Sequence, residues 1–343
     1  MTRKELTKNG KPISMNYKKA QTSVCAFFAS RQCFGMWKTH GDTYMNREMI
    51  VDILNRFPGW DRDVREVKAF QTEEDGTDYA VWKVETPEEV FVLKRSTPRE
   101  GEVYKTYFPN GGAVPKLHGI LRVEEQTYLL MEYIEGQTLS KCTREALRAT
   151  LDALIQMQDL HWNSDCKVGY GLEESYPNRE KRLPYLEDLK PCYEAYLEAF
   201  KTLPQTLCND DMLPFNVLVA GNRAVILDWE YGGILPYPCA LARLLAFGEE
   251  EKDSLFYMTR EDKSFALDYY YEKLIASKGI SREAYDRTMQ LFFFKEYSEW
   301  VYCANQSGDR SQIDYPKYYG LSRQIAQELG FFPACEDGEN GVK

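Results

Sequence analysis

The sequence predicts an α+β protein with two parts, a small antiparallel sheet followed by a larger, mostly helical region. Three strand-like runs, REVKAFQT, DYAVWKVE and EVFVLKR, follow one another between residues 65 and 95. Further along, the stretch TREALRATLDALIQMQDLH has leucines at the spacing of an amphipathic helix, and residues 177–203 and 261–328 also have a largely helical pattern. The pattern therefore changes from strands to helices along the chain.

The first part contains five predicted strands and one inserted helix. The segment NREMIVDILNRF opens it with helical spacing, and acidic turns separate the three strand-like runs, which indicates a meander. A short helix is expected in PREGEVYKTYF because Pro98 stands near its start. The runs VPKLHGILRV and QTYLLMEYI supply the fourth and fifth strands.

The second part begins at Glu135 and Gly136. Within it, VLVA and AVIL form two short predicted strands joined by Gly221-Asn222-Arg223, a three-residue connection typical of a hairpin. The aromatic stretch LFFFKEYSEWVYCAN, residues 291–305, is expected to place core residues on one helical face. We therefore expect one domain over residues 46–134, a second over 135–330, and a tail over 331–343.

The charge is distributed unevenly along the chain. Residues 1–45 have a net charge of +6, whereas the remaining 298 residues carry −16. This composition favours a loosely ordered leader, or a mis-set start codon, over a basic interaction arm. An acidic body repels nucleic acid, so we expect cationic small molecules or metal-bound nucleotides as ligands instead.

Several classes of protein are disfavoured by composition. No apolar run approaches the ~18 residues of a membrane span, and the N-terminal residues lack the order of a secretory signal. The nine cysteines are scattered without a CxxC motif or a Cys/His cluster, which argues against structural zinc and a disulfide framework. We therefore expect a cytoplasmic protein that binds neither membranes nor nucleic acids; the sequence leaves its oligomeric state open.

Oxygen donors are concentrated around the predicted hairpin, in the segment LCNDDMLPFNVLVAGNRAVILDWE. Asn216 precedes its first strand and Asp228 follows its second, so the hairpin should bring the two side chains face to face. An amide oxygen and a carboxylate suit Mg²⁺, which also takes phosphate oxygens from a substrate. Asp211, on the loop just before, would lie where an incoming hydroxyl could donate its proton. The arrangement indicates phosphoryl transfer.

The spacing D-x-x-x-x-N followed by I-L-D-W-E resembles the catalytic segment of the aminoglycoside phosphotransferase and choline kinase family, relatives of the protein kinases with the same two-lobed fold. The resemblance covers roughly residues 46–330. It implies ATP and Mg²⁺ as cofactors, Asp211 as catalytic base, and Asn216 and Asp228 as metal ligands.

The resemblance extends to the first part of the chain. Lys94 in FVLK would reach the nucleotide phosphates and pair with a helix glutamate, Glu100 or less favourably Glu102. The segment LLMEYIEG resembles the hinge, whose backbone at Met131, Glu132 and Tyr133 would bond adenine. Gly76 is the one glycine between the first two strands, and His161 after Leu160 is expected to be structural.

Two positions depart from the family pattern. Asn209-Asp210-Asp211 stands where the family has His-Gly-Asp or His-Asn-Asp, and Ala240-Leu241-Ala242 stands where many relatives have Asp-Leu-Ala. The missing histidine is expected to brace the loop rather than transfer the proton, so Asp211 remains the expected base. Asp210 would be a supporting carboxylate or a solvated residue. A kinase-shaped protein that turns over slowly or not at all is the competing hypothesis.

The resemblance implies a small hydroxylated acceptor for the phosphoryl group. Amines of the aminoglycoside or choline type, sugars, homoserine and fructosamine-type compounds all remain open. Carboxylates and a ring that could meet a cationic acceptor are supplied by Glu230, Glu296, Glu299 and Trp300.

Overall fold

The computed structural model describes residues 45–71, 78–311 and 314–332. The expectations for residues 1–44, for Gly76 and for the tail beyond Phe332 lie outside these residues. In the described ranges, no helix combines the length and apolarity needed to cross a membrane.

The first lobe is a five-stranded antiparallel sheet with one helix on each side. After helix α1 (Arg47–Asn55) come strands β1 (Glu66–Gln71), β2 (Asp78–Glu85) and β3 (Val90–Ser96), then α2 (Pro98–Tyr107), β4 (Leu117–Val123) and β5 (Gln126–Glu132). The strand order β1-β2-β3-β5-β4 makes β3 the central strand. The predicted meander with one inserted helix is confirmed.

Alternation along β3 gives its two faces different roles. Phe91 and Leu93 pack on one face against α1, in a core that also contains Trp82. Val92 faces the opposite side, where it packs against the core that continues into the second lobe. Since successive side chains of a strand point to opposite faces, Lys94 shares the face of Val92. The strand pattern therefore directs Lys94 toward the space between the lobes.

The second lobe is mostly helical. After the two-residue strand β6 (Gln137–Thr138), its helices are α3 (Arg144–Leu160), α4 (Leu172–Glu180), α5 (Lys190–Thr202), α6 (Pro238–Ala246), α7 (Arg260–Tyr270), α8 (Arg282–Ser307) and α9 (Tyr315–Glu328). A strongly amphipathic α3 and the aromatic α8 contribute to one large core. The two-part α+β architecture predicted from the sequence is thus confirmed.

Two small sheets carry the loops of the site. Strand β8 (Val217–Ala220) pairs with β9 (Arg223–Ile226) and with β6, and β7 (Gln205–Asn209) pairs with β10 (Gly232–Pro236). The connection between β8 and β9 is the two-residue turn Gly221-Asn222, not the three-residue connection predicted, because Arg223 already belongs to β9. Gly221 takes a positive φ of 63°, which glycine adopts without steric cost.

The α8 helix differs from its prediction. Its buried residues surround most of the helix axis instead of lying on one face, and they include Lys295, Glu296 and Glu299. A helix that is buried on all sides belongs to the interior of a large core. Charged side chains on such a helix need partners inside the protein, and this requirement shapes the site described below.

The linker between the lobes is held tightly to the second lobe. The Leu139 amide donates to the carbonyl oxygens of Pro214 (3.0 Å) and Val217 (3.1 Å). At Gly136, a Cβ atom would lie only 2.8 Å from the Val219 carbonyl oxygen, which is backbone and cannot turn aside. A side chain at this position would therefore force the linker away from β8.

We expect the substitution Gly136→Ala to lower the free energy of unfolding by about 1–3 kcal/mol, because the new methyl group overlaps the backbone of Val219. Thermal and urea denaturation would measure this change. The control is Gly320→Ala in α9, where a Cβ meets nothing within 4 Å; that change should be neutral or stabilise by about 0.5–1 kcal/mol. Equal behaviour of the two variants would contradict the close approach.

Candidate active site

The side chains of Lys94, Glu100 and Asp228 converge between the lobes. The Lys94 ammonium donates to Glu100 Oε1 at 2.8 Å and to Asp228 Oδ1 at 3.1 Å. Burial disfavours the charged ammonium, but the carboxylates of Asp228 and Glu100 outweigh that effect and raise the pKa of Lys94. Lys94 is therefore fully protonated at neutral pH, as binding of phosphate requires.

Helix α2 presents Glu100 to the lysine. Thr97 caps the helix by accepting a hydrogen bond from the Glu100 amide at 3.3 Å, and Pro98 occupies its first turn. Glu100 is 1% exposed, whereas Glu102 lies on the surface and contacts Lys105 at 3.3 Å and Arg122 at 3.5 Å. Of the two glutamates considered from the sequence, Glu100 is the partner of Lys94.

The turn after β9 brings Asp228 to this cluster. Asp228 has a left-handed backbone with φ 57° and ψ 75°, a conformation that aspartate tolerates better than most residues. The Trp229 amide donates to Glu100 Oε1 at 3.0 Å, and the Trp229 ring is fully buried against Phe108 from the end of α2. One carboxylate of the first lobe thus fixes the turn at Asp228 in the second lobe.

Asn209 ties together the two loops that carry the predicted acids. At the end of β7, its amide nitrogen donates to the carbonyl oxygens of Leu227 and Asp228, each at 3.0 Å. Its side-chain oxygen accepts from the Asp211 amide at 2.9 Å. Asn209 is fully buried, so it braces the loop at the position where the sequence lacks the expected histidine.

The loop from Asp211 to Asn216 is internally bonded. Asn216 Nδ2 donates to the Asp211 carbonyl oxygen at 2.8 Å and to Asp211 Oδ2 at 3.4 Å. The Leu227 amide donates to the Asn216 carbonyl oxygen at 2.8 Å, which continues the hairpin ladder beyond β8 and β9. Asn216 therefore lies opposite Leu227, one residue from Asp228; the expected facing of the Asn216 and Asp228 side chains stays a prediction.

The donor set at the hairpin fits Mg²⁺. The amide nitrogen of Asn216 is turned toward Asp211, which directs its oxygen away from that residue. Lys94 holds one carboxylate oxygen of Asp228. The other Asp228 oxygen and the side-chain oxygen of Asn216 could then coordinate one Mg²⁺ ion. Among the described residues, no three His, Cys, Asp or Glu side chains form a metal cluster. Mg²⁺ needs none, because it usually keeps waters and phosphate oxygens beside one or two protein ligands.

The predicted hinge follows directly on the central sheet. Met131 and Glu132 are the last residues of β5, and the Glu132 amide donates to the Lys116 carbonyl oxygen at 2.8 Å. The Glu132 carboxylate forms a two-point ion pair with Arg223 at 2.7 and 2.9 Å. The β8–β9 hairpin of the second lobe is thereby attached to the hinge, and Tyr133 lies beneath the Lys83 ammonium, 4.9 Å from its ring centre.

Glu230 lies beside the lysine cluster. It is partly buried, and burial together with the charges of Asp228 and Glu100 raises the pKa of its carboxyl group. His161, in contrast, packs edge-on against Tyr107 at 5.2 Å outside this cluster. Burial lowers the pKa of His161, as expected for a neutral structural imidazole.

Glu296 and Glu299 are engaged in buried ion pairs. Glu296 Oε2 accepts from Arg243 at 2.9 Å and Oε1 from Lys295 at 3.0 Å, while Glu299 Oε1 accepts from Arg182 at 2.6 Å. Trp300 is 5% exposed and stacks on Tyr318 with ring centres 5.3 Å apart. A cationic acceptor would therefore compete with arginine and lysine for these two carboxylates.

The adjacent acids of the loop are paired with different arginines. Arg179 of α4 donates to Asp210 Oδ2 at 2.6 Å, and Arg243 of α6 donates to Asp211 Oδ1 at 2.9 Å. Burial raises the pKa of Asp210, but the Arg179 guanidinium outweighs it and holds that pKa below the ordinary value. Asp210 is thus a partly buried, ion-paired carboxylate and not a solvated one.

Sequence reasoning missed the cations of this region, which are Arg179, Arg182, Arg243 and Lys295. Each lies on a helix or at its end, where an isolated basic residue normally indicates a solvated face. The available signal was the unusual position of Lys295, Glu296 and Glu299 inside an aromatic stretch. Charges within an apolar segment predict buried partners, though the sequence alone could not say which.

The fold and sequence resemble known phosphotransferases. A model of the phosphotransferase enzyme family matches residues 69–273. An aminoglycoside phosphotransferase from Alicyclobacillus acidocaldarius has a similar structure, with 12% identity, 85% of this chain and 96% of that chain covered, and a TM-score of 0.55. No curated protein matches the sequence significantly.

Two further solved structures share the fold. The choline kinase LicA from Streptococcus pneumoniae is 18% identical, with 77% of this chain and 95% of that chain covered and a TM-score of 0.51. A spectinomycin phosphotransferase in complex with ADP and spectinomycin is 13% identical, with 84% and 100% covered and a TM-score of 0.50. The family match spans more than half of the chain and includes Lys94, Asp211, Asn216 and Asp228, so this chain belongs to the phosphotransferase enzyme family.

Proposed function

We propose that this phosphotransferase is an ATP-dependent kinase that transfers the γ-phosphoryl group to a hydroxyl of a small acceptor. The observation that carries the proposal is the convergence of Lys94, Glu100 and Asp228 between the lobes. Asn209 joins Asp211 to the Asp228 backbone, and Asn216 in turn donates to Asp211. Phosphoryl transfer depends chiefly on positioning and on stabilising charge, and these contacts supply both.

The first lobe would hold the nucleotide. The Lys94 ammonium, kept charged by two carboxylates, can exchange its contact with Asp228 for the α- and β-phosphate oxygens. The backbone around Met131 to Tyr133 would bond adenine, with the Glu132 amide already committed to Lys116. The related spectinomycin enzyme was solved with ADP, which supports nucleotide use by this fold.

The second lobe would carry the chemistry. Mg²⁺ held by Asn216 and Asp228 would neutralise the charge that develops on the phosphate oxygens. Asp211 would accept the proton of the acceptor hydroxyl and orient its oxygen toward the phosphorus atom. Asn209 keeps the Asp211 backbone and the Asp228 turn at a fixed separation, since it bonds to both.

The acceptor is a small hydroxylated compound. Cationic acceptors were expected from Glu230, Glu296, Glu299 and Trp300, but Glu296 and Glu299 already have cationic partners. Glu230, in contrast, has Asp228 and Glu100 as charged neighbours, which together with burial raise the pKa of its carboxyl group. Neutral sugars therefore belong in an acceptor screen beside choline, ethanolamine, homoserine and aminoglycosides.

Binding of ATP with Mg²⁺ should raise the melting temperature in proportion to the logarithm of ligand concentration, and at 100 times Kd the stabilisation is about 2.7 kcal/mol. A thermal-shift titration measures it. The substitution Lys94→Met should abolish most of the shift, because the ammonium that contacts the phosphates is lost. The control Lys105→Met removes an exposed lysine of the same lobe, paired with Glu102, and should keep the full shift. A shift unchanged by Lys94→Met would exclude the proposed nucleotide site.

An ADP-release assay with the acceptor panel should identify at least one compound that raises turnover above the water background. With that compound, Asp211→Asn should reduce turnover by about 10²–10⁴-fold, because general-base catalysis contributes on this scale. ATP binding should persist in this variant. The control Asp286→Asn changes an exposed carboxylate paired with Arg282 on α8 and should leave turnover unaltered.

Two results would contradict this proposal in different ways. One is an acceptor whose phosphorylation is equally fast in the Asp211→Asn variant, which would exclude Asp211 as the base. The other is ATP binding without ADP release by any acceptor of the panel, which is the behaviour of a binding protein with a kinase fold.

A further inference from the structure

Arg243 links the predicted catalytic base to the core of the second lobe. From α6, its Nη2 atom donates to Asp211 Oδ1 and its Nη1 atom donates to Glu296 Oε2, each at 2.9 Å. The side chain of Arg243 is 16% exposed, that of Asp211 14% and that of Glu296 4%. Burial opposes the charge of the guanidinium, but Glu296 and Asp211 outweigh it and raise the pKa of Arg243.

The guanidinium is itself held in place. Glu296 accepts from Lys295 at 3.0 Å through its other oxygen, so its carboxylate is fixed from two sides. The guanidinium also lies over the Phe247 ring, 5.4 Å from the ring centre. An arginine has a planar fork of donors that can bridge two carboxylates, which lysine cannot reproduce.

These contacts complete the restraint of Asp211. Its amide is bound by Asn209 and its carbonyl oxygen by Asn216, and both contacts fix only the backbone. The contact of Arg243 with Asp211 Oδ1, at 2.9 Å, is shorter than that of Asn216 with Oδ2, at 3.4 Å. The orientation of the carboxylate therefore depends on a residue outside the loop.

We propose that Arg243 is a positioning residue that sets the orientation of the Asp211 carboxylate, and that Glu296 acts on Asp211 through Arg243. This inference rests on the proposed function, in which Asp211 is the base. Without Arg243, the carboxylates of Asp211 and Glu296 would lose the counter-ion that they share. The Asp211 side chain would then turn toward solvent, and the loop that carries it would open more easily. Arg243 itself transfers no proton and touches no reacting atom.

The first test needs no catalytic activity. Hydrogen exchange of the loop peptide, residues 209–217, should be at least about tenfold faster in Arg243→Met than in the wild type, because local opening becomes easier. The matched control is Arg182→Met, which removes another buried arginine that pairs with α8, at Glu299. In the control, any faster exchange should be confined to α8 and the segment around Arg182, and the loop peptide should keep its wild-type rate.

A variant pair tests the route through Glu296. Adding Glu296→Gln to Arg243→Met should change the exchange of the loop peptide little, because Glu296 has no separate path to Asp211 in the proposal. Arg243→Lys, which keeps the charge and serves if the methionine variant fails to fold, should give an intermediate exchange rate. Loop exchange that rises equally in Arg182→Met, or not at all in either Arg243 variant, would overturn the positioning role.

Kinetics separate this role from general destabilisation. With an acceptor found in the ADP-release screen, Arg243→Met should lower kcat at least about tenfold while KM for ATP with Mg²⁺ changes less than about threefold, since the nucleotide contacts are untouched. Unchanged kcat, or a loss explained by KM alone, would contradict the proposal. Failure of the wild type to bind ATP would instead reject the proposed function, and the exchange experiment would still decide the role of Arg243.

Discussion

The Glu100 carboxylate is the point on which the two lobes depend. Its Oε1 atom accepts hydrogen bonds from the Lys94 ammonium and from the Trp229 amide, and its Oε2 atom accepts one from the Ser96 hydroxyl. One buried anion therefore orients the lysine of the first lobe and the turn at Asp228 of the second. Because a buried charge is tolerated only when it is paired and hydrogen-bonded, each of these partners also stabilises the others. Helix α2, which carries Glu100, makes further contacts with the second lobe through Arg99 with Glu174 and Tyr107 with the Val168 carbonyl oxygen.

The ion pairs around the Asp210–Asp211 loop and α8 follow the same rule. Four acids, Asp210, Asp211, Glu296 and Glu299, are matched by four bases, Arg179, Arg182, Arg243 and Lys295. This balance explains how α8 can be buried around most of its circumference although three of the buried residues are charged. Hydrogen bonding also explains how asparagine can replace the family's histidine at position 209. An asparagine offers both a donor and an acceptor, so Asn209 can bind the two carbonyl oxygens of the Asp228 turn and the Asp211 amide without a titratable ring.

The fold was predictable because its signals are local. The apolar and β-branched runs of β2, β3 and β5, the helical spacing in α3, and the proline near the start of α2 each depend on neighbouring residues only. The missed strands β6, β7 and β10 are short, and β6 and β7 pair with segments distant in the chain, so no local pattern indicates them. The proximity of Asn216 to the Asp228 turn, in contrast, was predictable from the sequence. The two residues flank a hairpin, and a hairpin joins its strands through a few residues.

The sequence by itself determined the order of strands and helices, the hairpin that brings two oxygen donors together, and the lysine at the end of an apolar strand. It did so because periodicity and turn chemistry act over a few residues. Only the tertiary structure decided that Glu100 rather than Glu102 meets Lys94, that Asn209 braces the loop, and that Glu296 and Glu299 are paired with Arg243 and Arg182. The reason is physical, because the partner of a buried charge is set by which elements pack together. Arg179 pairs with Asp210, 31 positions away in the chain, and Arg182 pairs with Glu299, 117 positions away.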